Sequence, residues 1–251
     1  MNNKIVIVII AFLLSSCVSD VVKETALMKQ NVATNNKAAQ ALFIDGSVFE
    51  LKGQYNEAIT QYLEALKYDS QPGLCHIIAK NYYRINKLSP ALNYSKKAVE
   101  KDSSNTEFLM LHATIYSASH LEDSAATIYH KIITQDSNNV TAYFNLAQIS
   151  ESKKPGLALS YYKKVVDLMG PEWNVLIKIA DLNERLGNVD ETIKTVEELL
   201  KLNPSELNLQ KLLIESYIKT KNFKKAIALL NEAQISFPDD PNLLEMKGNV
   251  L

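Results

Sequence analysis

From residue 39 onward, apolar side chains return every three or four residues, and short polar stretches interrupt them at regular intervals. That recurrence puts one apolar stripe on each helix and predicts a succession of amphipathic helices. Two segments, Gly53-Gln54-Tyr55-Asn56-Glu57-Ala58-Ile59 and Gly187-Asn188-Val189-Asp190-Glu191-Thr192-Ile193, are one phrase written twice, 134 residues apart. The separation is close to four periods of 34 and marks an internal repeat. Helix-pair repeats then start near Ala39, Pro72, Thr106, Val140, Trp173 and Leu207, with a seventh start at Pro241.

The aligned columns carry the physical content. Position eight reads Gly46, Ala79, Ala113, Ala147, Ala180, Ile214 and Gly248, and position twenty reads Ala58, Ala91, Ala125, Thr192 and Ala226. Ala158 joins the second column if the turn Lys153-Lys154-Pro155-Gly156 is one residue short. Small residues are required where two helices cross closely. Four residues later the column turns bulky, with Tyr62, Tyr129 and Tyr162 among its members. Ile214 breaks the small column, which predicts a wider crossing in repeat six. Position four (Leu42, Cys75, Leu109, Tyr143, Leu176 and Leu244) is expected in the core, with Cys75 as a small buried hydrophobe. Junctions such as Asp102-Ser103-Ser104-Asn105 and Pro238-Asp239-Asp240-Pro241 end one helix and cap the next.

Column identity, period and junction chemistry together resemble the tetratricopeptide repeat, or TPR, across residues 39–251. The resemblance implies an all-α, right-handed α-solenoid of about six TPR helix pairs plus a short C-terminal capping helix. It implies protein or peptide partners, bound on a concave side lined by the first helix of each pair. Positions five and nine of those helices are the candidate partner groove: Phe43 and Ser47, His76 and Lys80, Met110 and Thr114, Phe144 and Gln148, Ile177 and Asp181. The groove is expected to be apolar through five repeats and charged beyond, where Lys211 and Glu215 follow. Two readings of the apolar residues stay open, as a hydrophobic groove or as packing between neighbouring helices. The carboxylate clamp of chaperone-binding TPRs is not matched, because Phe43 and Ser47 stand where Lys and Asn would be needed. In the incomplete seventh repeat, Leu244 and Leu251 are expected to cover repeat six and to stay partly uncovered on their other side. They form a candidate contact edge, either for a second copy in a homodimer or for the partner.

The first residues follow a different logic. Lys4 precedes the unbroken apolar run Ile5–Leu14, which is too short to span a bilayer but suits a signal-peptide core. Leu14-Ser15-Ser16-Cys17 resembles the lipobox of bacterial lipoproteins. That resemblance implies a signal peptide over 1–16, lipidation of Cys17, a tether over 17–38 and the solenoid over 39–251. A diacylated cysteine anchors stably where a single chain does not. The expected location is the cell envelope, with Val18 after the cysteine favouring an outer membrane in an organism that has one.

Composition removes several function classes. With 27 basic and 28 acidic residues, the chain lacks the basic excess that a phosphate backbone requires, so nucleic acid is not an expected partner. The four histidines are not spaced as helix metal ligands, and no phosphate loop or nucleophile elbow occurs. No enzyme activity, metal or cofactor is expected. The function expected is a membrane-anchored scaffold supporting assembly of an envelope complex; the alternative is a chaperone-like carrier of exported polypeptides.

Overall fold

A computed structural model of the chain describes residues 34–250; the signal peptide, Cys17 and residues 17–33 of the expected tether lie outside the described residues. All regular structure among the described residues is helical. The first helices are α1 (34–51), α3 (Pro72–Arg84), α5 (Thr106–Ala118), α7 (Val140–Ser150), α9 (Trp173–Arg185), α11 (Leu207–Lys219) and α13 (Pro241–Val250). The second helices are α2 (Tyr55–Ala65), α4 (Leu88–Lys101), α6 (Glu122–Gln135), α8 (Pro155–Met169), α10 (Val189–Leu202) and α12 (Phe223–Ser236). Residues 34–38, assigned to the tether from sequence, are helical and belong to α1.

Two compact units divide the chain, Met1–Leu121 with α1–α5 and Glu122–Leu251 with α6–α13. In each unit consecutive helices pack on one another, and first helices also meet across one repeat, as α3 meets α5 and α11 meets α13. This is the nearest-neighbour packing of repeat proteins.

Each second helix buries residues at i, i+4 and i+7. Ala58, Tyr62 and Ala65 do so on α2, and Ala158, Tyr162 and Val165 on α8. The filler column works against the small one. A Cβ added to Gly46 would lie 2.6 Å from the Tyr62 ring, so the tyrosine occupies the room that glycine leaves. Repeat six evens out the distribution of bulk. Ile214 and Leu230 are both buried in one core cluster, so the larger residue on α11 accompanies a smaller one on α12. Neither side chain is left uncovered.

Turns inside the repeats share one geometry. Position fifteen is left-handed in five of them, at Gly53 (φ 73°), Asn86 (57°), His120 (57°), Gly187 (72°) and Lys221 (59°). The following N–H reaches back to the carbonyl of position eleven, as Gln54 N donates to Phe49 O (2.9 Å) and Asn222 N to Tyr217 O (2.8 Å). These bonds satisfy carbonyls that a helix end leaves unpaired. The fourth repeat has no such residue. Lys154 at φ −141° precedes Pro155, and the shorter turn brings Ala158 into the small column.

Junctions cap the following helix. Asn105 Oδ1 accepts from Glu107 N and Phe108 N, Asn139 Oδ1 from Ala142 N, and Asp240 Oδ1 from Asn242 N and Leu243 N.

Candidate functional site

In the N-terminal unit, Phe43 is 39 % exposed, and its ring centroid lies 5.6 Å from that of Tyr62. The Tyr62 hydroxyl donates to Glu50 Oε2 at 3.1 Å and lies 3.2 Å from Ser47 Oγ, which in turn bonds Phe43 O. Burial, aided by Glu50, raises the Tyr62 pKa and keeps the phenol protonated. Ser47 therefore spends its hydroxyl inside the helix pair. Thr114 does likewise, donating to Met110 O at 2.9 Å.

His76 is buried, with Nε2 3.2 Å from Glu107 Oε1 and its ring 5.0 Å from Phe108. Burial pushes its pKa below the usual range, against the pull of Glu107. The residue offers a neutral ring edge. Between α3 and α5 lies a hollow of about 640 Å³ lined by His76, Lys80, Tyr83, Met110, Leu111 and Thr114 among others. A second hollow of about 430 Å³, with Phe43, Leu74 and Ile77 on its walls, separates α1 from α3.

The C-terminal unit repeats this arrangement with different chemistry. Phe144 is partly buried and meets Tyr162 edge-on at 5.7 Å. Ile177 is also partly buried and lines a hollow of about 610 Å³ between α9 and α11, with Trp173, Lys178 and Leu209. Phe144 and Ile177 thus pack on the core while leaving some surface open. Gln148 and Asp181 are exposed, with Asp181 3.5 Å from Arg185. Lys211 does not present its charge as the sequence reading expected. Its ammonium sits 2.8 Å from Asp240, and both side chains are largely covered. Glu215 and Glu245 carry the exposed charge there.

The sequence reading missed a relay that ties neighbouring repeats together. Glu50, at the end of α1, accepts from Tyr62 on α2 and from Asn81 (3.1 Å) and Arg84 (2.7 Å) on α3. Glu151, at the end of α7, accepts from Tyr162 on α8 and from Lys178 (3.0 Å) on α9, while its carbonyl takes Arg185 (3.2 Å). The Glu–Arg separation is 34 residues in both cases, one repeat period. That recurring spacing was the available signal.

At the C-terminal edge, Leu243 is fully buried and Leu244 is 56 % exposed, so the leucine covering repeat six is one residue earlier than expected. Position three of a first helix packs on the preceding second helix, as Leu74 does with Ala58, Tyr62 and Ala65. Position four packs on the repeat's own second helix, as Cys75 does with Ala98. No such helix follows α13 among the described residues. Leu251 lies outside them, as does Cys17, and no described helix is long and apolar enough to cross a membrane.

Models of the tetratricopeptide repeat match residues 39–72 and 185–250. Tetratricopeptide repeat protein 21A of Mus musculus is 23 % identical over 223 residues, covering 78 % of this chain. The match spans only 17 % of that protein. Among solved structures, a tetratricopeptide repeat protein from Parabacteroides merdae ATCC 43184 is 17 % identical, covering 85 % of this chain and 86 % of its own, at a TM-score of 0.62. YrrB, described as a TPR protein with an unusual peptide-binding site, is 20 % identical over 74 % of this chain and 97 % of its own, at 0.59. PilF of Pseudomonas aeruginosa is 18 % identical over 86 % and 99 %, at 0.57. The chain carries tetratricopeptide repeats, and its fold is that of the TPR solenoids of known structure.

Proposed function

We propose that this chain is an interaction scaffold, tethered to a membrane through a lipidated Cys17, which holds protein or peptide segments on its first helices and supports assembly of an envelope complex. One observation carries the binding reading: hollows with apolar walls recur between successive first helices in each unit, around Phe43 and Met110 in one and Ile177 in the other. The hydroxyls of Ser47 and Thr114 are already bonded, so the grip there comes mainly from apolar contact. The peptide-binding site named for YrrB adds support by analogy of fold.

The test is affinity capture from the chain's own cells, with a high-salt wash. A scaffold retains a fixed partner in stoichiometric amount, and Phe43→Ser with Met110→Ser weakens retention at least tenfold. The basis is about 1.5–3 kcal/mol for each large apolar side chain buried on binding. Retention unchanged in a variant of wild-type helicity contradicts the reading. A heterogeneous set of clients would favour the carrier alternative. Anchoring has its own experiment: Cys17→Ala should move the chain out of the membrane fraction, and a variant that stays there after a high-salt wash refutes the anchor.

A further inference from the structure

The corner where α11 turns into α12 carries a cluster of lysines, most of them without an ion pair among the described residues. Residues 219–225 read Lys-Thr-Lys-Asn-Phe-Lys-Lys, and no acidic residue occurs between 216 and 231, in a chain whose net charge is −1. All four lysines are exposed. Lys225 is 3.5 Å from Glu197 and lies over the Tyr217 ring. Among the described residues, Lys219, Lys221 and Lys224 form no ion pair.

Apart from the contacts of Lys225, these lysines have no ion pair among the described residues to offset their placement. Lys224 and Lys225 stand in the first turn of α12, where the helix dipole disfavours cations by about 0.3–1 kcal/mol each. The equivalent turns of α6 and α10 hold Glu122 with Asp123 and Asp190 with Glu191. Phe223 (45 % exposed) and Ile227 (36 %) lie one turn apart on the same helix. The lysines therefore flank, along the chain, an apolar pair that is itself exposed.

We propose that this corner docks on an anionic phospholipid membrane, with Lys219, Lys221 and Lys224 meeting lipid phosphates and Phe223 and Ile227 entering the headgroup layer. Cationic side chains around a few exposed apolar ones suit an anionic bilayer interface. An amphipathic helix or a Pro-rich segment is the less suited occupant, because each is gripped in an apolar groove. Lys219, Lys221, Phe223, Lys224 and Ile227 line none of the hollows described above; Lys219 borders only a separate hollow of about 520 Å³ between α11 and α13. The inference rests on neither Cys17 nor the partner faces.

The experiment is co-sedimentation of the full chain with vesicles at about 0.1 M salt. One set is phosphatidylcholine alone, and the other is phosphatidylcholine with phosphatidylglycerol at roughly 2:1. The apolar N-terminal residues act on both sets, so the readout is the preference for the mixed vesicles. Wild type should prefer them. Replacing Lys219, Lys221 and Lys224 together by Gln should lower mixed-vesicle affinity on the order of a hundredfold, at about fivefold per lysine. Binding to neutral vesicles should not change. The Arg triple variant, which keeps the charge, should bind as wild type does. A glutamine variant that binds mixed vesicles like wild type overturns the proposal, as does a wild type without the preference. Capture of a poly-glutamate peptide through these lysines, with no vesicle preference, would assign the corner to an acidic protein instead.

Discussion

Gly46 and Tyr62 show how one residue sets a helix crossing in this chain. Because a Cβ on Gly46 would come within 2.6 Å of the buried Tyr62 ring, Gly46→Ala should destabilise the N-terminal unit by ~1–3 kcal/mol. Chemical denaturation measures that loss, and a stability equal to wild type would show that the ring moves freely. Gly187 separates backbone cost from crowding. It has φ 72° and nothing within 4 Å of an added Cβ, so Gly187→Ala should cost about 1 kcal/mol through conformation alone. Both glycines stood out in the sequence, Gly46 in its column and Gly187 in the duplicated phrase. The Glu50–Arg84 relay did not, because side-chain pairing between repeats depends on which way two helix ends face.

At the level of the helix, the 34-residue period and the junction residues gave helix number and order, and the observed starts coincide with those read from sequence at Pro72, Thr106, Val140, Trp173, Leu207 and Pro241. The side that α13 buries was harder to place. In a full repeat positions three and four are both covered, by different partners, and only the packed structure separates Leu243 from Leu244. Asp240 holds α13 by two means, accepting from two N–H groups at its start and pairing with Lys211. Lys211 and the helix start keep the Asp240 carboxyl below the usual range. Asp240→Ala should loosen α13 by roughly 1–2 kcal/mol. Hydrogen exchange should speed up in α13 first and leave α7–α9 unchanged; uniform acceleration across the unit would contradict this local role.

Across the whole molecule, stability should depend on acid through His112. Burial, helped by Lys96, lowers its pKa to about 4, and its Nδ1 lies 2.8 Å from Ser95 Oγ. The unfolded imidazole takes up a proton below pH ~6.5, whereas the folded one resists until about 4. The stabilisation is therefore complete above ~6.5 and is lost as the pH falls through that window, up to about 3 kcal/mol. In thermal melts, wild type should lose stability more steeply than His112→Gln as the pH falls from ~6.5 to about 4, because this contribution is absent from the variant. Equal slopes in the two would remove His112 as the cause.

Binding on the first-helix faces is the claim on which the functional account stands, and site-specific photo-cross-linking in intact cells tests it most directly. A photoreactive residue is placed at Met110 or Ile177, on first helices, and in separate chains at Lys97 or Lys194, which are exposed on second helices. The account predicts discrete cross-linked protein products from Met110 and Ile177, with little from Lys97 and Lys194. Products of equal yield from all four positions, or from the second-helix positions alone, would contradict it.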